Sequence, residues 1–126
     1  MILGVGIDLC EVDRIRRLLD KDSERFIRRV FRAGEAAYCR DKRHPEIHFA
    51  ARFAAKEAFL KALGRGWRLG WSQLEVVRSE SGKPDLAISG QAAEAARRRG
   101  VQRIHLTLTH TAQTAAAVVI LEGDEA

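Results

Sequence analysis

The stretch FAARFAAKEAFLKAL, at residues 49–63, constrains the fold more than any other part of this sequence. Its apolar residues recur at helical spacing, with large side chains on one side and a stripe of alanines opposite. A stripe of alanines leaves room for another backbone to approach closely. The segment therefore predicts a buried helix, which ends near Gly64 and Gly66. Its large face comprises Phe49, Phe53, Lys56, Leu60 and Leu63, and its stripe comprises Ala51, Ala55, Ala58 and Ala62.

Four charged residues, Arg52, Lys56, Glu57 and Lys61, interrupt this apolar helix. Charges on a buried helix are costly unless they are paired or bound to something. Glu57 and Lys61 lie one turn apart, so one interpretation is an exposed ion pair that contributes about 0.2–0.5 kcal/mol. The alternative is that they face a metal ion or a phosphate, which would offset the cost of burying them. The spacing alone leaves both interpretations open.

The order of the predicted elements indicates an α+β fold with a mainly antiparallel sheet, because strands and helices do not alternate regularly. The opening MILGVGIDL predicts a buried strand. The length predicts a single domain over residues 1–126. Predicted helical segments lie at 11–19, 26–31, 35–40, 49–63 and 91–99, with later strands at 74–79, 84–89, 103–110 and 114–121.

The run from Ile104 to Leu121 contains no Lys, Arg, Asp or Glu and is nearly long enough for a membrane span. It also holds two histidines, a glutamine and four threonines around a turn signal, so two strands explain it better. The N-terminus lacks the basic region of a secretion signal. Cys10 and Cys39 fit no metal spacing and are expected to be reduced thiols. We therefore expect a cytoplasmic protein without a membrane partner.

Positive charge is concentrated in one segment of the chain. Between Arg14 and Arg32 there are eight basic and three acidic residues, an excess that equals the whole net charge of +5. A positive surface of this kind favours a nucleic acid, an anionic membrane or an acidic protein as partner. The nucleic-acid interpretation lacks aromatic residues interleaved with the basic ones, and it leaves Asp8 and Glu57 unexplained.

Asp8 lies at the end of the predicted first strand and has two interpretations. With Glu11 three residues later, it forms the pattern of a helix N-terminal capping box. Alternatively, it is a carboxylate at a strand end which, with Glu57, phosphate oxygens and water, would complete a six-coordinate Mg²⁺ site. His110, between two threonines, and the SGKP turn at 81–84 likewise have a structural explanation beside a phosphate-binding one.

Four motifs together resemble the holo-[acyl-carrier-protein] synthase family, the small bacterial 4'-phosphopantetheinyl transferases. They occur in the family's order and at its spacing, and they extend over essentially the whole chain. The first two are the specific ones. The motifs are GVGIDLCEVDRI (4–15), FAARFAAKEAFLKALG (49–64), SGKP (81–84) and LTLTHT (106–111).

The resemblance implies transfer of 4'-phosphopantetheine from coenzyme A to a serine of apo-acyl carrier protein. It implies Asp8 and Glu57 as Mg²⁺ ligands and Lys61 beside the pyrophosphate, so that the charges of the buried helix face magnesium and phosphates. Glu57 is the candidate general base and Asp8 its rival. Residues implied around coenzyme A are Arg52, Lys61, Gly82, Lys83, Pro84, His110 and Thr111, and those implied for carrier-protein docking are Arg14, Arg17, Lys21, Arg25, Arg28 and Arg29.

The resemblance also implies a homotrimer in which neighbouring subunits share each active site. The alanine stripe and the small sheet fit such an assembly. The remaining alternative is a purely structural subunit, in which Glu57 and Lys61 form only a helix-stabilising pair.

Overall fold

The structure is a computed structural model that describes residues 1–64 and 69–124. It has the predicted α+β architecture, with antiparallel strand pairs and packed helices. Gly66, at the predicted helix end, lies outside the described residues. The elements are β1 (Ile2–Glu11), α1 (Val12–Val30), α2 (Ala33–Arg40), α3 (Pro45–Leu63), β2 (Leu74–Arg78), β3 (Pro84–Ile88), α4 (Gly90–Arg98), β4 (Val101–His110) and β5 (Thr114–Gly123), with a short 3₁₀ turn at Trp71–Gln73.

Three long strands form one sheet in the order β1-β5-β4, and α3 packs against one face of it. Glycines in β1 make this close packing possible. A Cβ atom on Gly6 would lie 1.9 Å from the carbonyl oxygen of Ala58, and one on Gly4 would lie 2.1 Å from that of Ala62. The alanine stripe does receive another backbone, as predicted. That backbone is β1 of the same chain, so the stripe is not available to a neighbouring subunit there.

The strands β2 and β3 form a separate two-stranded sheet, so the predicted strands divide into two sheets. The turn between them is closed by a hydrogen bond from the Gly82 amide to the Ser79 carbonyl oxygen, 2.8 Å long. Gly82 has φ +84°, a conformation that favours glycine. The predicted hairpin at SGKP is therefore confirmed.

The prediction that β1 is a buried strand is wrong for one of its two faces. Alternate residues of a strand point to opposite sides, and α3 covers only the side that carries the glycines. On the other side, Val5, Ile7 and Leu9 are each at least 59% exposed. The register places Val118 beside Ile7 and Ile120 beside Val5. These five residues form an apolar surface that we call the open sheet face.

The two helical segments predicted before residue 32 are parts of α1. The helix is interrupted at Asp22, whose φ of −157° and ψ of 75° are not helical. Val12, Ile15, Ile27 and Val30 are buried, which turns the basic residues of this amphipathic helix toward solvent.

Lys56 contradicts the expectation that the charges of α3 face bound ligands. It is fully buried, and its ammonium group donates to Glu35 Oε1 at 2.6 Å, to the Val30 carbonyl oxygen at 2.6 Å and to the Trp71 carbonyl oxygen at 3.3 Å. Glu35 also accepts a hydrogen bond from the Val76 amide. Burial lowers the pKa of Lys56, and the Glu35 carboxylate acts in the opposite direction. The pair is an internal connection between α2, α3 and β2.

The uncharged run at 104–121 forms two antiparallel strands, as predicted. Both cysteines are free and buried. Burial is the main cause that raises the pKa of the Cys39 thiol to about 12, so this thiol is protonated at neutral pH. In the two described ranges, no helix combines the length and apolarity needed to cross a bilayer.

Candidate active site

The packing of α3 on β1 brings Asp8 and Lys61 together, although 53 positions separate them. The Lys61 ammonium group donates to Asp8 Oδ1 at 2.9 Å and to the Ile7 carbonyl oxygen at 3.1 Å. The Asp8 side chain is 16% exposed and that of Lys61 is 58% exposed. Within the described ranges, Lys61 pairs with Asp8 and not with Glu57, so the helix-pair interpretation of Glu57 and Lys61 is wrong.

Asp8 is not a helix cap. It lies within β1, three residues before the strand ends, and α1 begins only after Glu11. Glu11 occupies the N-cap position but makes no side-chain capping bond. The capping-box interpretation of Asp8 is therefore wrong. The side chain lies instead on the face of β1 that packs against α3.

Glu57 is half-buried on α3, and its Oε2 accepts a hydrogen bond from Trp71 Nε1 at 3.0 Å. Both carboxylates affect the pKa of the Cys10 thiol. Its pKa is raised to about 11, mainly by burial; Arg14 opposes this rise, while Asp8, Glu11 and Glu57 add to it. The geometry connects the two carboxylates through α3, because Lys61, which contacts Asp8, lies one helical turn after Glu57.

The chemistry of this donor set fits a hard divalent cation, because Mg²⁺ prefers carboxylate and other oxygen ligands. Within the described parts of the chain, no three His, Cys, Asp or Glu side chains are placed so that they could together hold a metal ion. Asp8 and Glu57 would therefore be the two side-chain ligands that the protein supplies to the cation. Mg²⁺ characteristically keeps waters and substrate phosphates as its other ligands, so a two-carboxylate site is chemically reasonable.

A second group of side chains gathers basic residues around Tyr38. The Arg52 guanidinium carbon lies 4.1 Å from the centre of the Tyr38 ring, the Lys42 nitrogen lies 4.4 Å from it, and the Arg78 guanidinium carbon lies 5.1 Å from it. Arg78 Nη1 also donates to the Tyr38 hydroxyl at 2.7 Å. We call Tyr38, Lys42, His48, Arg52, Arg78 and His110 the basic cluster.

The two histidines extend this cluster toward the end of β4. The ring centres of His48 and His110 are 5.9 Å apart, and His48 lies 6.0 Å from Tyr38. Burial lowers the pKa of His48, and Arg52, His110, Lys42 and Arg78 lower it further. Basic groups held this close repel one another and favour an anion among them.

Arg52, predicted to lie near coenzyme A, is almost fully buried at the base of the basic cluster. Its Nη1 donates to the His48 carbonyl oxygen at 3.5 Å. Its Nε has no hydrogen-bond partner among the described residues. A buried donor without an acceptor costs about 1–3 kcal/mol, which an acceptor on a bound ligand would offset.

The other predicted coenzyme A residues lie in two turns. Gly82, Lys83 and Pro84 belong to the hairpin turn and the start of β3, and Lys83 is exposed. Thr111 begins the turn between β4 and β5, where its hydroxyl oxygen accepts hydrogen bonds from the amides of Gln113 and Thr114. Thr111 therefore also has a structural role within its turn.

The predicted docking residues form an exposed basic surface on α1, which we call the α1 surface: Arg14, Arg17, Lys21, Arg25, Arg28 and Arg29. Two of these arginines cover aromatic rings. The Arg14 guanidinium lies 5.7 Å from the Phe53 ring centre, and that of Arg29 lies 5.8 Å from the Trp71 ring centre. The α1 surface thus borders Trp71, which donates to Glu57, and Phe53, which packs on the Trp71 ring.

Comparison with known proteins identifies the family. A family model described as the 4'-phosphopantetheinyl transferase superfamily matches residues 4–119. The chain is 54% identical over 126 residues to the holo-[acyl-carrier-protein] synthase of Anaeromyxobacter sp. (strain K), with 98% of each chain covered. The chain belongs to the holo-[acyl-carrier-protein] synthase family. It is a phosphopantetheinyl transferase, which confirms the predicted family and enzyme class.

Solved structures of holo-[acyl-carrier-protein] synthases share the fold. The crystal structure from Neisseria meningitidis has a TM-score of 0.88 and 32% identity, and covers 97% of this chain and 99% of its own. The protein from Bacillus anthracis str. Ames, solved in complex with CoA (3',5'-ADP), has a TM-score of 0.79 and 32% identity, with 98% and 99% covered. The predicted fold class is thereby confirmed.

Three residues that organise this region were missed in the sequence. Trp71 holds Glu57, Tyr38 centres the basic cluster, and Glu35 neutralises Lys56 in the core. Each contact joins residues at least 14 positions apart in different elements. Local patterns of hydrophobicity and spacing carry no signal for such pairs.

Proposed function

We propose that this chain transfers 4'-phosphopantetheine from coenzyme A to a serine of apo-acyl carrier protein in a Mg²⁺-dependent reaction that releases adenosine 3',5'-bisphosphate. The observation that carries the proposal is the meeting of Lys61 with Asp8, beside Glu57, in a member of this transferase family. The chain has the length of its relatives, and a homologue has been solved with coenzyme A.

Asp8 and Glu57 are the side chains that would hold Mg²⁺. When bound, Mg²⁺ neutralises charge on the pyrophosphate and stabilises the departing phosphate. Glu57 is the candidate base for the serine hydroxyl, and Asp8 is the alternative. Trp71 engages one oxygen of Glu57 and so limits its orientations.

Lys61 is suited to interact with the leaving group of the reaction. Its ammonium group is more than half exposed, and its pairing with Asp8 places it beside the proposed metal site. From there it would contact the pyrophosphate and donate a proton to the leaving oxygen. A lysine that already carries a positive charge also stabilises negative charge developing on that oxygen.

The basic cluster is the proposed site for phosphate groups of coenzyme A. Arg52 offers a buried Nε that lacks an acceptor among the described residues, and His48 and His110 stand beside it. Arginine is well suited to phosphate because its planar fork donates two parallel hydrogen bonds. Gly82, Lys83, Pro84 and Thr111 are proposed to contact the rest of the nucleotide.

The α1 surface is the proposed docking site for the carrier protein, which would be acidic. Its six basic residues are exposed on one helix, and two of them border Phe53 and Trp71 next to Glu57. Charge complementarity of this kind raises association rates and orients the partner. The carrier serine would then approach the proposed metal site from the α1 side.

We propose a homotrimer with active sites at its subunit interfaces, and the open sheet face supports self-association of the chain. An exposed apolar patch on a sheet usually marks an interface, and no helix among the described residues covers this one. A second copy of the chain has a matching apolar face to offer.

Two free cysteines support a cytoplasmic location, where thiols stay reduced.

Intact-mass measurement of apo-carrier protein tests the proposal. Incubation with the enzyme, coenzyme A and Mg²⁺ should add one phosphopantetheine group, and removal of Mg²⁺ by a chelator should prevent the addition. Nucleic-acid binding without any mass gain on a competent carrier protein would contradict the proposed function.

Substitution of the two carboxylates tests their role within that assay. Asp8→Asn and Glu57→Gln should each lower the rate by more than about 100-fold, because loss of a direct ligand exceeds the 10–100-fold typical of its supporting residues. Glu11→Gln, an exposed carboxylate at the end of the same strand, should retain activity. Equal losses in all three variants would refute the assignment.

A further inference from the structure

Trp71 connects Glu57 to the core and to the α1 surface. It begins the 3₁₀ turn before β2, and its indole Nε1 donates to Glu57 Oε2 at 3.0 Å. This is the one contact in the described region through which another side chain donates a hydrogen bond to Glu57. Glutamate side chains rotate freely unless something fixes them, so the origin of this restraint matters for a metal ligand.

Contacts on several sides hold Trp71 in place without help from Glu57. Its ring packs against Phe53, with centres 5.8 Å apart, and the Arg29 guanidinium lies 5.8 Å from the ring centre. Its carbonyl oxygen accepts a hydrogen bond from the buried Lys56. The indole N–H direction is therefore set by the core and by α1.

We propose that Trp71 is a positioning residue that orients the Glu57 carboxylate for binding Mg²⁺. The inference rests on the proposed function, since it assigns a supporting partner to the proposed metal ligand. Supporting hydrogen bonds of this kind fix the orientation of a ligating group, and their loss typically costs 10–100-fold in metal affinity or activity. Trp71 contacts neither coenzyme A nor the transferred group in this role.

The first test compares the Trp71→Phe variant with the wild-type chain. Binding of Mn²⁺, a spectroscopic substitute for Mg²⁺, is measured by electron paramagnetic resonance with coenzyme A present and carrier protein absent. The variant should bind Mn²⁺ 10–100-fold more weakly, and kcat should fall at subsaturating Mg²⁺ while KM for coenzyme A stays within about twofold. Unchanged Mn²⁺ affinity in a folded variant would overturn the proposal.

A shape-matched replacement separates the hydrogen bond from packing. The chain has two tryptophans, so Trp67 is first changed to Phe, which leaves position 71 as the single site of replacement. In this background, Trp71 is replaced by benzothienylalanine, which keeps the two-ring shape but has sulfur in place of the N–H group. This protein should lose Mn²⁺ affinity to the same degree as Trp71→Phe, and the same background with tryptophan should not. Wild-type affinity in the sulfur analogue would show that packing alone matters, and would overturn the proposal even if Trp71→Phe fails to fold.

Phe53→Leu is the matched control, because Phe53 packs on the same ring but has no hydrogen-bond donor. It should weaken Mn²⁺ binding clearly less than Trp71→Phe does, because the indole donor remains; a loss equal to that of Trp71→Phe would contradict the proposed role of the N–H group. The outcomes for the two proposals are distinct. The proposed function is refuted if the wild-type protein neither binds Mn²⁺ nor modifies carrier protein. If the wild-type protein and the sulfur analogue are equally active, only the role of Trp71 is refuted.

Discussion

At the level of single residues, the ion pair between Lys61 and Asp8 is easily exchanged for other contacts. Lys61 is more than half exposed, and an exposed pair contributes only about 0–1 kcal/mol. Little stability is therefore lost when the Lys61 ammonium turns toward a phosphate oxygen. Arg52 differs, because its buried guanidinium is held against Tyr38 and cannot leave without disrupting packing.

His48 provides a pH-dependent prediction at this scale. Burial and then Arg52, His110, Lys42 and Arg78 hold its pKa below 6.5 in the folded protein, near the Tyr38 ring. A depressed histidine pKa contributes stability that is present above pH 6.5 and is lost as the pH falls through the folded-state pKa. Adenosine 3',5'-bisphosphate should raise the His48 pKa by neutralising the basic cluster.

Histidine ring resonances followed by NMR during a pH titration, with and without the nucleotide, measure this change. Its control is His105, which lies outside the cluster and pairs with Glu122 on the sheet. The His105 ring resonances should not shift when the nucleotide is added. A His48 pKa that is unchanged on nucleotide binding would contradict the assignment of the basic cluster.

The residue-level chemistry could be predicted from the sequence only where motifs carry it. Asp8, Glu57 and Lys61 stand out because charged residues interrupt apolar segments, and the family resemblance supplies their roles. Lys56 interrupts the same helix yet is a core residue, because Glu35 on α2 neutralises it. One-dimensional spacing does not distinguish a lysine paired across the core from one that faces a ligand.

At the level of elements, α3 carries both the core and the proposed chemistry. Its alanine stripe approaches the glycines of β1, and its other sides hold Lys56 inward and Glu57 and Lys61 toward the proposed site. The helix and its end could be predicted from periodicity and from Gly64, but α3 begins at Pro45, four residues before the predicted start at residue 49. The exposure of one face of β1 could not be predicted. An apolar strand has the same sequence pattern whether its own chain or another chain covers it.

The buried pair of Lys56 and Glu35 predicts a large stability effect. Lys56→Met leaves the Glu35 carboxylate buried without its counter-charge, which should destabilise the fold by about 3–5 kcal/mol. Urea unfolding of the variant and of Lys61→Met measures the contrast, because Lys61 is exposed and its loss should cost less than about 1 kcal/mol. Similar unfolding midpoints for the two variants would contradict the structural role of Lys56.

The α1 helix predicts a selective effect on one substrate. Reversal of Arg14 and Arg25 to Glu should raise KM for carrier protein by about tenfold or more, since charge complementarity governs the encounter. The KM for coenzyme A should stay nearly unchanged. Steady-state kinetics with each substrate varied in turn, at two salt concentrations, measures both values. Equal increases in the two KM values would argue against docking on α1.

At the level of the whole molecule, we expect a second copy of the chain to cover the open sheet face. Val5, Ile7 and Leu9 expose apolar side chains on a three-stranded sheet whose opposite face is packed on α3. The division of the strands into two sheets also could not be predicted, because pairing between distant strands is set by packing of the whole chain. The α+β class could be predicted, since it depends only on the order of the elements.

A charge placed on the open sheet face tests the assembly. Ile7→Glu should convert a trimer into monomers, because burying three unpaired carboxylates at one interface is costly. Light scattering coupled to size-exclusion chromatography measures the mass, and transfer activity should fall with it. Val77→Glu, an exposed apolar residue on β2, is the control and should remain trimeric. A monomeric wild-type chain would contradict the proposed trimer.

The proposed mechanism depends on Asp8, from β1, and Glu57, from α3, binding the same divalent ion. A crystal structure with coenzyme A and Mg²⁺ would show whether they do. We expect one cation with an oxygen of each carboxylate at about 2.0–2.1 Å. A cation held by only one of these residues, or by neither, would refute the proposed mechanism.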